Sequence, residues 1–209
     1  AKWVTGPSYT VSGSIVGLTA GNTVGLANTG NGDALPTASG SGFAFPTGMA
    51  NAAPYAVTVS SQPVGQTCAV TANGSGSIAN ANVSNVVVSC TVNTYPLAGT
   101  VVGLPSGQTV VLANGSEQLP VSGASFAFAT PLPHGSSYAV SVLTQPAGQT
   151  CTITQDTGTI TAPVNNVLVS CANSAQAPEP TPVPAGTPAG WLLMGAALAG
   201  LGWRTRKRP

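Results

Sequence analysis

Hydrophobic and polar residues alternate with a period of two in many short segments of this chain. The segments YAVTV (55–59) and NVVVSC (85–90) are typical, and turns containing Gly, Asn or Pro separate them. Because successive side chains of a strand point to opposite faces, this pattern predicts half-buried β-strands. No helical periodicity of useful length occurs before Trp191. We therefore predict an all-β protein with one C-terminal hydrophobic helix.

The same series of segments occurs twice. The offset between copies is 83 residues from FAF through QTC, 86 at the first motif and 81 at the last Cys. Such self-similarity predicts two copies of one unit, with the length changes confined to loops. Six or seven short strands in about 80 residues are typical of a β-sandwich, so we predict two tandem antiparallel β-sandwiches. The first copy contains GSIVGL (13–18), FAF (43–45), YAVTV (55–59), QPVGQTC (62–68) and NVVVSC (85–90), and the second contains GTVVGL (99–104), FAF (126–128), YAVSV (138–142), QPAGQTC (145–151) and NVLVSC (166–171).

The repeats and the change of composition after them define the predicted organisation. Residues 1–7 contain no charged segment followed by an apolar run, so we expect that the numbering begins after removal of a secretory signal. The predicted parts are a lead-in (1–7), repeat 1 (8–93), repeat 2 (94–173), a Pro/Ala-rich linker (174–188), a hydrophobic helix (189–203) and a basic tail (204–209).

The four cysteines fall as one pair in each repeat, Cys68 with Cys90 and Cys151 with Cys171. Four cysteines allow three pairings, and repeat symmetry favours the pairing within each repeat. A loop of roughly 20 residues closed in this way stabilises by about 3 kcal/mol. The alternative is a four-Cys zinc site, which would lack C-x-x-C spacing and would draw its ligands from both repeats. Disulfides predict an oxidising compartment.

Charged residues make up only 4% of the chain. Lys2 is the only basic residue before Arg204, and the same stretch holds four acidic residues. The repeats therefore offer no basic surface for a nucleic-acid backbone. A neutral surface of hydroxyl and amide groups associates easily and suits extracellular walls, adhesins and fibres. The alternative is an ordinary secreted domain with a sticky surface.

The sequence contains no recognisable catalytic constellation. His134, the only histidine, is predicted to be a solvated loop residue. The acidic residues are scattered singly, so they form neither a glycosidase carboxylate pair nor a calcium loop. Asp33 lies in GNGD (30–33), which we interpret as an ordinary turn and not a metal site. We predict no catalytic, cofactor-binding or metal-binding residues, and a protein that is not an enzyme.

The C-terminal part has the features of a membrane segment. An uncharged run of 19 residues (185–203) is near the lower limit for crossing a bilayer. Tryptophans belong at the two membrane interfaces, and a basic cluster marks the cytoplasmic side. The predicted sorting or anchoring residues are Pro178, Glu179, Pro180, Val183, Pro184, Trp191, Trp203, Arg204, Arg206, Lys207 and Arg208.

Other interpretations of this tail remain open. The tail could be a permanent membrane anchor or a buried helix of a soluble fold. It could also be a retained helix that packs against copies of itself through its small residues. Those small residues are Gly195, Ala196, Ala199 and Gly200.

The front half of each repeat resembles the prealbumin-like, Cna B-type and carboxypeptidase-regulatory sandwiches of bacterial surface proteins. Their shared outline is G-x-V-x-G-L, V-x-L, G-x-F-x-F and Y-x-V-x-V, and the resemblance implies an Ig-like or prealbumin-like fold. Many Cna B-type domains contain a Lys–Asn isopeptide bond, which cannot occur in both repeats because Lys2 is the only lysine before Lys207. The second copy matches the outline through Gly99, Val101, Gly103, Leu104, Val110, Leu112, Phe126, Phe128, Tyr138, Val140 and Val142.

The remaining motifs resemble two further families. The back half, QP-x-GQTC…NV-x-VSC, is similar to a repeat of predicted secreted proteins of Proteobacteria, which implies export. The tail resembles the PEP-CTERM and IPTL-type sorting signals, with the motif at Pro178-Glu179-Pro180 or at Val183-Pro184. That resemblance implies that an exosortase-type membrane enzyme cuts at the motif and passes the body to the cell surface. The tail would then lie in the inner membrane, transiently or permanently.

These observations together predict a function. We expect a non-enzymatic, secreted structural or adhesive protein of the bacterial cell surface, sorted or anchored through its C-terminal tail. A second hypothesis is a subunit of an extracellular filament or matrix with a retained tail helix, assembled laterally or by strand exchange. A third is a carbohydrate- or ligand-binding module, although few aromatic residues are available for sugar stacking.

Overall fold

A computed structural model of the chain describes residues 6–174, and the architecture is all-β as predicted. Each repeat contributes ten strands, which exceeds the six or seven expected because several strands have only two or three residues. In repeat 1 the strands are β1 (Ser8–Tyr9), β2 (Val11–Val16), β3 (Val24–Asn28), β4 (Asp33–Ala38), β5 (Gly42–Ala44), β6 (Met49–Ala50), β7 (Pro54–Ser61), β8 (Gln66–Ala72), β9 (Ser75–Ser77) and β10 (Val83–Val92). In repeat 2 they are β11 (Thr94–Tyr95), β12 (Leu97–Val102), β13 (Val110–Asn114), β14 (Glu117–Val121), β15 (Ser125–Ala127), β16 (Leu132–Pro133), β17 (Ser137–Thr144), β18 (Gln149–Thr154), β19 (Thr157–Thr159) and β20 (Val164–Asn173).

Each repeat forms two four-stranded sheets and one two-stranded ribbon. In repeat 1 the sheets have the strand orders β5-β2-β10-β8 and β4-β3-β7-β9, and β1 pairs with β6. Repeat 2 has the same topology, with orders β15-β12-β20-β18 and β14-β13-β17-β19 and the ribbon β11-β16. The internal repeat of the sequence is therefore a repeat of the complete topology.

One strand pair in each repeat departs from the antiparallel arrangement. The first long strand and the last strand, β2 with β10 and β12 with β20, run parallel to each other. Alternating hydrophobicity gives no strand direction, and these partners lie far apart in the sequence, so the pairing direction could not be predicted. The two paired strands lie very close together. A β-carbon added at Gly13 would collide with the carbonyl oxygen of Val86, and one added at Gly99 would collide with that of Val167.

Each repeat has its own hydrophobic core between its two sheets. The period-two pattern places alternate residues inside, as in β10 and β20, where Val, Val and Cys are buried and their neighbours are more accessible. In each core the two phenylalanines of the FAF segment form an edge-to-face pair, with ring centroids 5.8 Å and 5.9 Å apart. The main core residues are Val11, Ile15, Val24, Leu26, Phe43, Phe45, Tyr55, Val57, Ile78, Val86 and Val88 in repeat 1, and Leu97, Val101, Val110, Leu112, Phe126, Phe128, Tyr138, Val140, Ile160, Val167 and Val169 in repeat 2.

The predicted C-terminal helix (189–203) lies outside the described residues. Within residues 6–174, no helix has the length and apolar character needed to cross a membrane. The sorting or anchoring residues between Pro178 and Arg208 also lie outside this range.

Candidate functional site at the repeat ends

The cysteines form one disulfide within each repeat, Cys68–Cys90 and Cys151–Cys171. Each bridge joins directly opposite residues of the edge strand and its neighbour, β8 with β10 and β18 with β20. All four side chains are buried, and no free cysteine remains in the chain. The four-Cys zinc site is therefore excluded, because no thiolate is available to bind a metal.

The first glutamine of each QP-x-GQTC motif covers the backbone of the disulfide-bonded cysteine. The Cys68 N–H donates to Gln62 Oε1 at 2.7 Å, and Gln62 Nε2 donates to the Cys68 carbonyl oxygen at 3.0 Å. Gln145 makes the same two bonds to Cys151, at 2.7 Å and 3.1 Å. This amide occupies the position that a further strand would use, because it satisfies an outward-facing N–H and C=O at the sheet edge.

The second glutamine of the motif is buried and connects the edge strand to the loop after the first long strand. Gln66 Nε2 donates to the Gly17 carbonyl oxygen at 2.8 Å, and Gln66 Oε1 accepts the Thr19 N–H at 2.9 Å. Gln149 makes the equivalent bond to the Gly103 carbonyl oxygen at 3.1 Å. The sequence pattern by itself assigns no role to either glutamine. Their presence in both copies was the available signal.

The other sheet edges are also poor templates for strand addition. The edge strands β4 and β14 contain Pro36 and Pro120, which lack a backbone N–H. The edge strands β5, β9, β15 and β19 have only three residues each. Short edge strands, edge prolines and covered edges all oppose sheet-to-sheet association. Strand exchange, one of the expected routes to a filament, therefore finds little open backbone in residues 6–174.

The two repeats meet at a small hydrogen-bonded junction around Asn93. Its N–H donates to the Gly65 carbonyl oxygen at 2.9 Å, and its own carbonyl oxygen accepts the His134 N–H at 2.8 Å. Its side-chain Oδ1 accepts the Thr67 hydroxyl at 2.7 Å. The connecting residue therefore contacts the loop between β7 and β8 of repeat 1 and the turn between β16 and β17 of repeat 2.

His134 is part of this junction and not the solvated loop residue that we expected. Its ring lies against Gly65, where an added β-carbon would collide with the imidazole, and its centroid is 6.2 Å from that of Tyr95. Its Nδ1 is buried without a hydrogen-bond partner. No sequence pattern indicates this contact, because Gly65 and His134 are distant along the chain and belong to different repeats.

Two of the acidic residues hold equivalent loops. Asp33 Oδ2 accepts the Thr47 N–H at 3.1 Å, and Glu117 Oε1 accepts the Ala129 N–H at 2.7 Å. Desolvation acts to raise the pKa of the Asp33 carboxyl, but hydrogen bonds from Thr47 and Asn31 outweigh it and hold the pKa below its usual value. Asp33 is thus the first residue of β4, directly after the turn, and its carboxylate holds the loop at Thr47. No cluster of three or more potential metal-ligating side chains occurs in residues 6–174.

Comparisons with known proteins found solved structures but no family. No protein-family model matches the chain, and no curated protein matches it. A structure of the Bacillus anthracis TIE protein is 13% identical with a TM-score of 0.47, and covers 78% of this chain and 33% of that one. Two B repeat units of the Staphylococcus aureus collagen-binding protein are 13% identical with a TM-score of 0.30, and cover 80% of this chain and 50% of that one. The chain thus spans half or less of these first two proteins.

A third similar structure is the major pilin protein of Streptococcus pyogenes. It is 14% identical with a TM-score of 0.30, and the match covers 82% of this chain and 98% of that one. At this level of identity the likenesses identify neither a ligand nor a partner.

Proposed function

We propose that this chain is an exported, non-enzymatic structural or adhesive protein of the bacterial cell surface. The observation that carries the proposal is that each repeat closes its edge strand with its own buried disulfide. Such bridges persist in oxidising compartments and stabilise small domains outside the cytoplasm. Two independently bridged sandwiches are suited to withstand extracellular conditions.

The accessible face of the disulfide-bearing sheets supports an adhesive or structural role. On the edge strands β8 and β18 most of the exposed side chains are threonines, and several threonine hydroxyls bond to the neighbouring strand, as Thr71 does to Ser89 at 2.9 Å. The sheet strands β8, β10, β18 and β20 contain no charged residue. A neutral face of this kind lacks the charge repulsion that keeps proteins apart. The exposed threonines are Thr67 and Thr71 on β8, Thr91 on the inner strand β10, and Thr150, Thr152 and Thr154 on β18.

We further propose that the C-terminal tail sorts or anchors the protein. The support is the order of the motif at Pro178-Glu179-Pro180 or Val183-Pro184, the uncharged run 185–203 and the terminal basic cluster. In this proposal the tail spans the inner membrane with its basic end in the cytoplasm. An exosortase-type enzyme recognises the motif, cuts the chain and releases the two repeats to the surface.

The test is the intact mass of the protein recovered from the surface of the cells that produce it, measured with and without reduction. We expect a chain that ends near Pro184, with a mass that rises by four hydrogens on reduction of two disulfides. A tail variant with Arg204, Arg206, Lys207 and Arg208 replaced by alanine should accumulate uncut. Recovery of the protein only from the cytoplasm, with reduced cysteines, would contradict export. A surface protein that still ends at Pro209 would contradict cleavage and leave a permanent anchor.

A filament subunit is the second candidate function. The observation that favours it is the junction itself, in which the end of one repeat already binds the beginning of another through Gly65, Asn93 and His134.

A further inference from the structure

The end of repeat 2 has the same backbone arrangement as the surface of repeat 1 that contacts repeat 2. Gly148 has a φ of 69° and Gly65 a φ of 68°. The Gly148 carbonyl oxygen accepts the Ser174 N–H at 2.9 Å, just as the Gly65 carbonyl oxygen accepts the Asn93 N–H at 2.9 Å. The backbone arrangement that seats the next repeat is therefore present at both positions.

The two ends differ in what covers them. Gly65 is half-buried, because the His134 ring lies directly over it. Gly148 is exposed, and apart from Gly148 and its two chain neighbours no atom of residues 6–174 lies within 4 Å of the position that a β-carbon would occupy there. Within the described part of the chain, repeat 2 thus presents an uncovered form of a surface that is covered in repeat 1.

The start of repeat 1 presents the matching surface. Its ribbon β1-β6 corresponds to β11-β16, and Asn51 follows β6 as His134 follows β16. The next residue keeps the same bond, since the Ala52 N–H donates to the Ile78 carbonyl oxygen at 2.8 Å, and the Gly135 N–H to the Ile160 carbonyl oxygen at 2.7 Å. Asn51 is exposed, and its side chain accepts the Asn80 N–H at 2.9 Å.

We propose that a second copy of this chain docks at the end of repeat 2, with its Asn51 loop over Gly148. In this contact the Ser174 carbonyl oxygen accepts the Asn51 N–H of the second copy, as Asn93 accepts from His134 within one chain. Surfaces that are complementary but different give head-to-tail association, which extends from copy to copy unless it closes into a ring. The proposal rests on the proposed structural function and names its partner. Because the sheet edges of residues 6–174 are protected from strand addition, the ends of the repeats are the surfaces through which copies can associate.

The first test is sedimentation velocity of the full chain over a range of concentrations. We expect concentration-dependent oligomers, with Gly148→Ala weakening association about tenfold because the new methyl group enters the docking position. Gly115→Ala is the matched control, since Gly115 also has a positive φ (58°) and nothing within 4 Å in the described residues. Asn51→His should strengthen association, because it supplies the side chain that covers Gly65 within the chain.

Three results of this measurement would overturn the proposal. The protein could remain monomeric at every concentration, or it could associate equally well with and without Gly148→Ala, which would assign association to another surface such as the tail. Equal weakening by Gly115→Ala would attribute the effect to backbone strain. A monomeric protein recovered oxidised from the cell surface would leave the proposed surface function intact while this inference fails.

The second test is independent of any loss of stability in the glycine variants. Two single variants, Asn51→Cys and Ala147→Cys, are mixed and treated with a short thiol-reactive cross-linker. We expect a cross-linked heterodimer that forms faster than either homodimer. Thr71→Cys, on the exposed sheet face, replaces Ala147→Cys in the control mixture and should give no such preference. Equal rates for all pairs would contradict end-to-end docking.

Discussion

Amide side chains satisfy much of the backbone at the loops and sheet edges of this protein, and only two of the contacts described above use a carboxylate, Asp33 or Glu117. Gln62 and Gln145 cover the cysteines at the sheet edges, and Gln66 holds the loop after β2. Buried Asn28 accepts the Ala56 N–H at 3.0 Å through its Oδ1, and Asn114 accepts the Ala139 N–H at 3.1 Å. A chain with 4% charged residues can therefore still satisfy its polar backbone groups.

The first prediction at this scale concerns the edge glutamines. Gln62→Ala removes both hydrogen bonds to Cys68 and leaves a part-buried N–H without its partner. We expect the free energy of unfolding to fall by about 1–2 kcal/mol, measured by urea denaturation. Gln118→Ala, on an exposed position of β14, is the control and should change it by less than about 0.5 kcal/mol. Equal effects of the two variants would show that the hydrogen bonds between Gln62 and Cys68 do not stabilise the fold.

The second prediction at this scale concerns Asp33 and pH. Its pKa is lower in the folded protein, so the carboxylate stabilises the fold above its usual pKa of 3.8. This contribution should be lost as the pH falls through the folded pKa. In the NMR spectrum, the Thr47 amide resonance should shift over that acidic range. In Asp33→Asn the shift should be absent, since the amide does not titrate. A Thr47 resonance that titrates equally in both proteins would contradict the assignment.

At the scale of the elements, one turn glycine in each repeat marks the difference between the two repeat ends. Gly65 and Gly148 occupy equivalent turns with nearly the same φ, but only Gly65 is covered by a side chain of residues 6–174. The two positions form a natural matched pair, because backbone strain is common to both and the His134 contact occurs at one.

This pair gives the third prediction. Gly148→Ala should cost about 1 kcal/mol from its positive φ. Gly65→Ala should cost at least about 1 kcal/mol more, because the methyl group collides with the His134 ring. Urea denaturation at low protein concentration measures both variants, and the His134 ring resonances should move only in Gly65→Ala. Equal losses with unchanged His134 resonances would show that the ring does not cover Gly65.

At the scale of the whole molecule, residues 6–174 contain two cores that share few contacts beyond the junction. Each core includes its own disulfide and its own phenylalanine pair. The two disulfides close loops with sequence separations of 22 residues in repeat 1 and 20 residues in repeat 2. Because the chain-entropy effect depends on loop length, the two bridges should stabilise their repeats by similar amounts.

The fourth prediction follows from this division. Replacing Cys68 and Cys90 by alanine should destabilise repeat 1 by about 3 kcal/mol and leave repeat 2 nearly unchanged. Calorimetry should then resolve two transitions, and the complementary replacement of Cys151 and Cys171 should reverse their assignment. A single transition that shifts as a whole would show instead that the repeats unfold as one cooperative unit.

Several features could be predicted from the sequence because they are local or repeated. The alternation in YAVTV (55–59) identifies a strand and its buried face, since side-chain direction has a period of two. The offset of 83 residues, constant from FAF through QTC, indicates two copies of one unit, and repeat symmetry favours the pairing of Cys68 with Cys90. None of these inferences requires knowledge of which strands are neighbours.

The tertiary structure alone decided the features that join distant residues. Strand order decides that β2 pairs in parallel with β10 and that the Gln62 side chain hydrogen-bonds to Cys68. The path of the chain between the repeats decides that the His134 ring lies against Gly65. A periodic pattern specifies which face of a strand is buried, but it does not specify the partner. The sequence by itself therefore determined the two sandwiches, and folding in three dimensions determined how their edges are closed and how their ends meet.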